Sequence, residues 1–98
     1  MPTPSPPNRL PAISIELFGV PRLIAGRPRV IATGLTLGEL AVDLLRREPA
    51  LTAGVLDPAT GWPLPGYHFV VDERFTRDPA LPLHEGSAVL LVASAAGG

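Results

Sequence analysis

Leu81-Pro82-Leu83-His84-Glu85-Gly86-Ser87-Ala88-Val89-Leu90-Leu91-Val92-Ala93-Ser94-Ala95-Ala96-Gly97-Gly98 ends the sequence with a turn, one strand and a run of small residues. His84-Glu85-Gly86 has turn chemistry, since glycine accepts positive φ without strain. From Gly86 onward there is no charged side chain. Ser87 to Ala93 reads as a strand that is apolar on both faces, which suits the centre of a sheet rather than its edge. Period-two alternation puts Val89, Leu91 and Ala93 on one face and Leu90 and Val92 on the other.

Upstream, Tyr67 to Val71 and Arg74 to Thr76 read as strands joined by a turn at Asp72-Glu73. Residues 48–66 are rich in Pro and Gly and read as loop. Thr36-Leu37-Gly38-Glu39 is a capping box, and Leu37, Leu40, Ala41, Leu44 and Leu45 then recur at helical spacing. Asp43 pairs with Arg46 or Arg47 on the wet side of that helix. Pro49 disfavours helical geometry at Glu48, so the helix stops near Arg47. Before it, Ile13 to Val20 alternates with Ile13, Ile15 and Leu17 inward, which turns Phe18 to the opposite face. Pro21 to Ile31 completes a hairpin through the turn Ala25-Gly26-Arg27-Pro28, and its second strand is an edge because Pro28 cannot donate to a ladder.

One helix covers one sheet face, so the chain is a two-layer α+β domain. A central last strand beside the first is the β-grasp arrangement: a mixed sheet of four or five strands with one main helix across one face. The domain spans 12–93. Residues 1–11, five of them Pro, read as a disordered leader, and 94–98 as a flexible tail.

The chain has 98 residues, net charge −1, 46% hydrophobic and 17% charged residues, a globular composition for one domain. The charge balance argues against nucleic acid or an anionic membrane as partner, since both select basic surfaces. No run is apolar enough to span a bilayer and no signal peptide is read, so a cytoplasmic location is expected. Cysteine is absent, which excludes disulfides, thiolate metal sites and a persulfide. All eight basic residues are Arg.

No catalytic residue and no metal site are read. His68 and His84 have no partner near in sequence and read as exposed or structurally bonded. Glu16, Asp43 and Glu73 read as solvated acids. No glycine-rich loop has phosphate-binding spacing. What remains is the tail. Without bulky side chains it can thread a narrow channel, and a carboxylate on Gly98 is open to activation by ATP. The alternative is a frayed end with two adventitious glycines.

Three stretches resemble the MoaD/ThiS sulfur-carrier family of ubiquitin-like β-grasp proteins, and within it the molybdopterin synthase small subunit. These are Phe18-Gly19-Val20-Pro21-Arg22-Leu23 with Gly26, Thr36-Leu37-Gly38-Glu39-Leu40, and Leu81 to Val89 followed by Gly97-Gly98. The chain departs from the small-subunit pattern at Ala93-Ser94-Ala95, where Pro-Pro-Val is usual, and at Glu85 and Ser87, where Asp is common. The resemblance implies a carrier that is not itself an enzyme and binds no cofactor. An E1-like adenylating enzyme would use ATP to activate Gly98, next to Gly97, and a thiocarboxylate would pass sulfur to a synthase subunit. The molybdopterin-type pathway is favoured over the thiamine type.

The alternation just described clusters Phe18, Leu90 and Val92, joined by Phe75, as an apolar partner surface, and Ala95 and Ala96 of the tail are expected to bind the partner with it. The competing reading covers Phe18 and Phe75 with the loop 58–66. Trp62 either pins that loop or anchors a partner. Two other functions stay open: a ubiquitin-like modifier conjugated through Gly98, and a non-covalent β-grasp binding module.

Overall fold

The computed structural model describes residues 10–94. The leader up to residue 9 and the tail residues Ala95, Ala96, Gly97 and Gly98 lie outside the described residues. Five strands form one mixed sheet: β1 (Ala12–Leu17), β2 (Arg29–Thr33), β3 (Tyr67–Val71), β4 (Arg74–Thr76) and β5 (Val89–Ala93). Their order is β2-β1-β5-β3-β4. β1 and β5 run parallel, with Ile15 beside Val89 and Leu17 beside Leu91, and the remaining pairs are antiparallel. The last strand is therefore central and lies next to the first, and β2 is an edge. Among the described residues no helix is long and apolar enough to cross a membrane.

The inner face follows from alternation. Ile13, Ile15 and Leu17 of β1 and Val89 and Leu91 of β5 are buried, while Ser14, Glu16 and Phe18 are exposed. Ala93, expected inward, is exposed at the end of β5. Across this face lies the main helix, α2 (Leu37–Arg47), which buries Leu37, Leu40, Ala41 and Leu44. Its start is satisfied donor by donor. The Glu39 N–H donates to Thr36 Oγ1 at 3.2 Å, the Leu37 N–H to the Leu81 carbonyl and the Gly38 N–H to the Pro79 carbonyl. Glu39 reaches back to the N–H of Leu35 at 2.9 Å, one residue earlier than an ideal capping box.

Sequence expectations are corrected at the β1–β2 connection and at Asp43. The β1–β2 connection is not a plain hairpin but carries a six-residue helix, α1 (Val20–Ala25). Pro21 sits in its first turn, where a fixed φ and a missing N–H cost nothing. Gly26 caps its C-terminus at φ 74, donating to the Arg22 carbonyl. The residues read as turn formers are helix start and stop signals.

The segment 48–66 is loop, as read, apart from a 3₁₀ turn (Pro49–Thr52), but it is a packed loop, with Leu51, Val55 and Leu56 fully buried in the main core. Gly61 closes the segment onto α2 at φ 76, where a Cβ would collide with the Ala41 carbonyl. Trp62 packs edge-on against Phe69, ring centroids 5.5 Å apart, so it pins the segment to the core.

Asp43 is not a solvated acid. It is 9% exposed and holds both Arg46 and Arg47, at 2.6 Å each. Its second role is to accept the Thr33 N–H at 2.8 Å, which ties the helix to the end of β2. Burial raises its pKa, but the Thr33 amide, the Arg47 and Arg46 hydrogen bonds and the Arg47 charge outweigh burial and bring it from 3.8 to about 2.

Two predictions follow from these contacts. Gly61→Ala is expected to destabilise the domain by about 3 kcal/mol or more, since strained φ and a backbone clash add. A melting temperature close to wild type would mean that the segment does not pack on α2. The Asp43 pKa is lower folded than unfolded, so its contribution is whole above about pH 4 and is lost as pH falls toward 2. Asp43→Asn is expected to cost about 1–3 kcal/mol at pH 7 and to flatten the acid limb of stability, measured by urea unfolding. An unchanged acid limb would contradict the assignment.

Candidate functional site

Among the described residues no helix lies on the outer face of the sheet. Register places its side chains in two rows. In the first, Glu16 of β1 lies beside Leu90 of β5, Leu90 beside Val70 of β3, and Val70 beside Phe75 of β4. In the second, Val92 lies beside His68. Phe18 joins this row from the far side, because its N–H donates to the Leu91 carbonyl at 3.3 Å and extends the β1 ladder by one residue. Phe18, Phe75, Leu90 and Val92 therefore share one face, as alternation predicts.

Phe18 is 42% exposed and Phe75 68%. Leu90 and Val92 are half-buried. The segment 58–66 does not cover them, since its Trp62 packs on Phe69, which belongs to the inner core. Val70 is buried yet stands outside that core, flanked on the outer face by Leu90 and Phe75. Alternation along β3 would have found Val70 and His68, since Tyr67, Phe69 and Val71 face inward.

His68, read from the sequence as exposed or structurally bonded, is structurally bonded. It is half-buried, and its ring meets Phe75 edge-on with centroids 5.8 Å apart. Its Nε2 lies 2.6 Å from Ser94 Oγ. Ser94, placed in the flexible tail by sequence, is held a second time by its N–H, which donates to the Gly66 carbonyl at 2.7 Å. The last described residue is thus fixed at the C-terminal end of the central strand. Beside it runs an open groove lined by Trp62, Tyr67, Thr76 and Arg77. Arg77 forms no ion pair among the described residues, and no three His, Asp or Glu side chains there gather as a metal site.

The element order, the mixed sheet and the central last strand define a small ubiquitin-like β-grasp domain. No family model and no curated protein sequence matches the chain. Solved structures do. Small archaeal modifier protein 1 from Methanosarcina acetivorans superposes with a TM-score of 0.77 at 15% identity, covering 93% of this chain and 100% of the other. A Pyrococcus furiosus protein described as molybdopterin converting factor subunit 1 gives 0.67 at 16% identity, with coverage of 85% and 97%. A chain of the Amycolatopsis orientalis BexX/CysO complex gives 0.69 at 18% identity, with coverage of 89% and 100%. At these identities the shared property is the fold, and at that level the resemblance read from the sequence holds.

An exposed side chain that supports no core should be dispensable for stability. Phe75→Ala is expected to change the unfolding free energy by less than about 1 kcal/mol. A markedly earlier melt would show that the outer face is a second core.

Proposed function

We propose that the chain is a sulfur carrier whose Gly98 carboxylate is activated and thiolated by partner enzymes. The observation that carries the reading is the placement of Ser94. Ser94, held by Gly66 and His68 beside an open apolar face, is followed in sequence by the uncharged run Ala95-Ala96-Gly97-Gly98. On this reading an E1-like adenylating enzyme binds the face and presents ATP to the tail. A Gly98 carboxylate oxygen attacks the α-phosphorus, and pyrophosphate leaves. A sulfide-level nucleophile from the partner system then displaces AMP and leaves a thiocarboxylate. With no cysteine, this chain cannot hold a persulfide, so the sulfur resides on Gly98 itself.

The carrier contributes binding and position, and the partners supply the catalysis. The sulfur acceptor is a synthase subunit, and the molybdopterin-type pathway is favoured. The similarity to a protein described as molybdopterin converting factor subunit 1 supports that choice. A cytoplasmic location belongs to the same reading.

A second reading is favoured by the similarity to small archaeal modifier protein 1: attachment through Gly98 to lysines of other proteins. Having no Lys, the chain could not extend itself into polymers through its own side chains. Both readings share the adenylation step.

Deleting Gly98, or replacing Gly97 with a bulky residue, is expected to abolish ATP–pyrophosphate exchange by the adenylating enzyme of the same host. The melting temperature should not change. Undiminished exchange by the Gly98 deletion would overturn the reading. Phe18→Ala and Phe75→Ala are expected to weaken binding of that enzyme by about 1 kcal/mol or more each, measured by titration.

A further inference from the structure

We propose that docking on the outer face requires His68 to be uncharged, so that the affinity of the carrier for its adenylating enzyme falls as the imidazole takes up a proton. The inference rests on the carrier reading above, which seats that enzyme on this face.

The second row of the outer face runs from Phe18 through Val92 to His68. His68 is thus a titratable group in an otherwise apolar row. Its ring is half-buried already, with Val92 beside it in the register and the Phe75 ring edge-on at 89°. A partner that covers Phe75 and Val92 also covers what is left of the imidazole. Histidine is the side chain whose charge changes between about pH 5 and 8. A charge taken out of water without a counter-charge is costly.

The groups around the ring supply no counter-charge. From β5 come Val92 and Ser94, neither of them ionisable. From β4 come Phe75, Thr76 and Arg77, which line a cleft together with His68. The stretch from Trp62 to Gly66 lines the neighbouring groove and carries no charge, and Tyr67 beside it is a phenol. Asp78 turns its carboxylate to the Ala80 N–H at 2.9 Å, and Glu16 stands across β5 beside Leu90. Among the described residues the charged group that shares a cleft with the imidazole is therefore a cation, Arg77. It opposes a second positive charge there.

The 2.6 Å contact with Ser94 Oγ does not choose between the two states of the ring. A hydroxyl accepts from Nε2–H or donates to a bare Nε2, so the contact survives protonation. The choice falls on Nδ1, which has no partner among the described residues. A neutral ring can carry its single hydrogen on Nε2, toward Ser94. An imidazolium must also donate from Nδ1, and a covering apolar partner removes the water that would accept. The complex then binds fewer protons than the free carrier, so acid pulls the equilibrium toward dissociation.

The test is calorimetric titration of the full-length protein with its host's E1-like adenylating enzyme at about pH 8 and about pH 5.5, either side of the histidine range. The domain stays folded over that interval, since the Asp43 contribution is whole above about pH 4. The rise in Kd on acidification is expected to be about tenfold larger for wild type than for His68→Gln, whose amide is neutral at both ends and keeps a donor toward Ser94. Repeating the titration between those limits in two buffers of different ionisation enthalpy should show proton release on binding that His68→Gln does not share. Equal rises in Kd for the two proteins would overturn the proposal. So would a wild-type affinity that strengthens in acid, the result expected if the partner set a carboxylate against the ring. Absence of binding by wild type at the alkaline end would instead overturn the carrier reading, and the proposal with it.

Discussion

The parallel pairing of β1 with β5 at the middle of the sheet is the constraint on which the rest of the structure depends. It joins the two ends of the domain, and it is made by residues that are almost wholly buried, Ile15 and Leu17 against Val89 and Leu91. β2 is added outside β1, and β3 and β4 outside β5. The last strand is flanked by β1 and β3 as far as Leu91, and beyond that β3 continues the pairing, with His68 beside Val92 and Tyr67 beside Ala93.

The second consequence is an outer face that no helix among the described residues covers. One helix of eleven residues, with the segment 49–66, fills the inner side. The outer side of β5 is nonetheless apolar, and its flanks add Phe18 and Phe75. Exposed aromatic side chains next to a strand end are what a partner surface requires. The inner face holds the core of the fold, and the outer face is the one that the proposed function assigns to a partner.

Much of this was legible in the sequence. The alternation of Ile13, Ile15 and Leu17, the Thr36 cap, and the uncharged last strand each speak through local spacing. The misread elements depend on contacts that spacing does not encode. Pro21 and Gly26 serve a turn or a short helix equally well, and only the packing of α1 chooses between them. Leu51, Val55 and Leu56 have no strand period and stand among glycines and prolines, so their burial shows only once Gly61 brings the segment onto Ala41. Asp43 looks solvated beside two arginines, because Thr33 lies ten residues away in sequence. At the site, alternation grouped Phe18, Leu90 and Val92, whereas the link from His68 to Ser94 spans 26 residues and had no sequence signal.

The proposed function is chemical at its centre, with sulfur carried on the tail. The most direct measurement is the intact mass of the full-length protein after incubation with its host's adenylating enzyme, ATP and sulfide. The account predicts a gain of about 16 Da, the exchange of one carboxylate oxygen for sulfur that attack on an acyl-adenylate produces. An unchanged mass, under conditions where that enzyme thiolates another carrier, would contradict it.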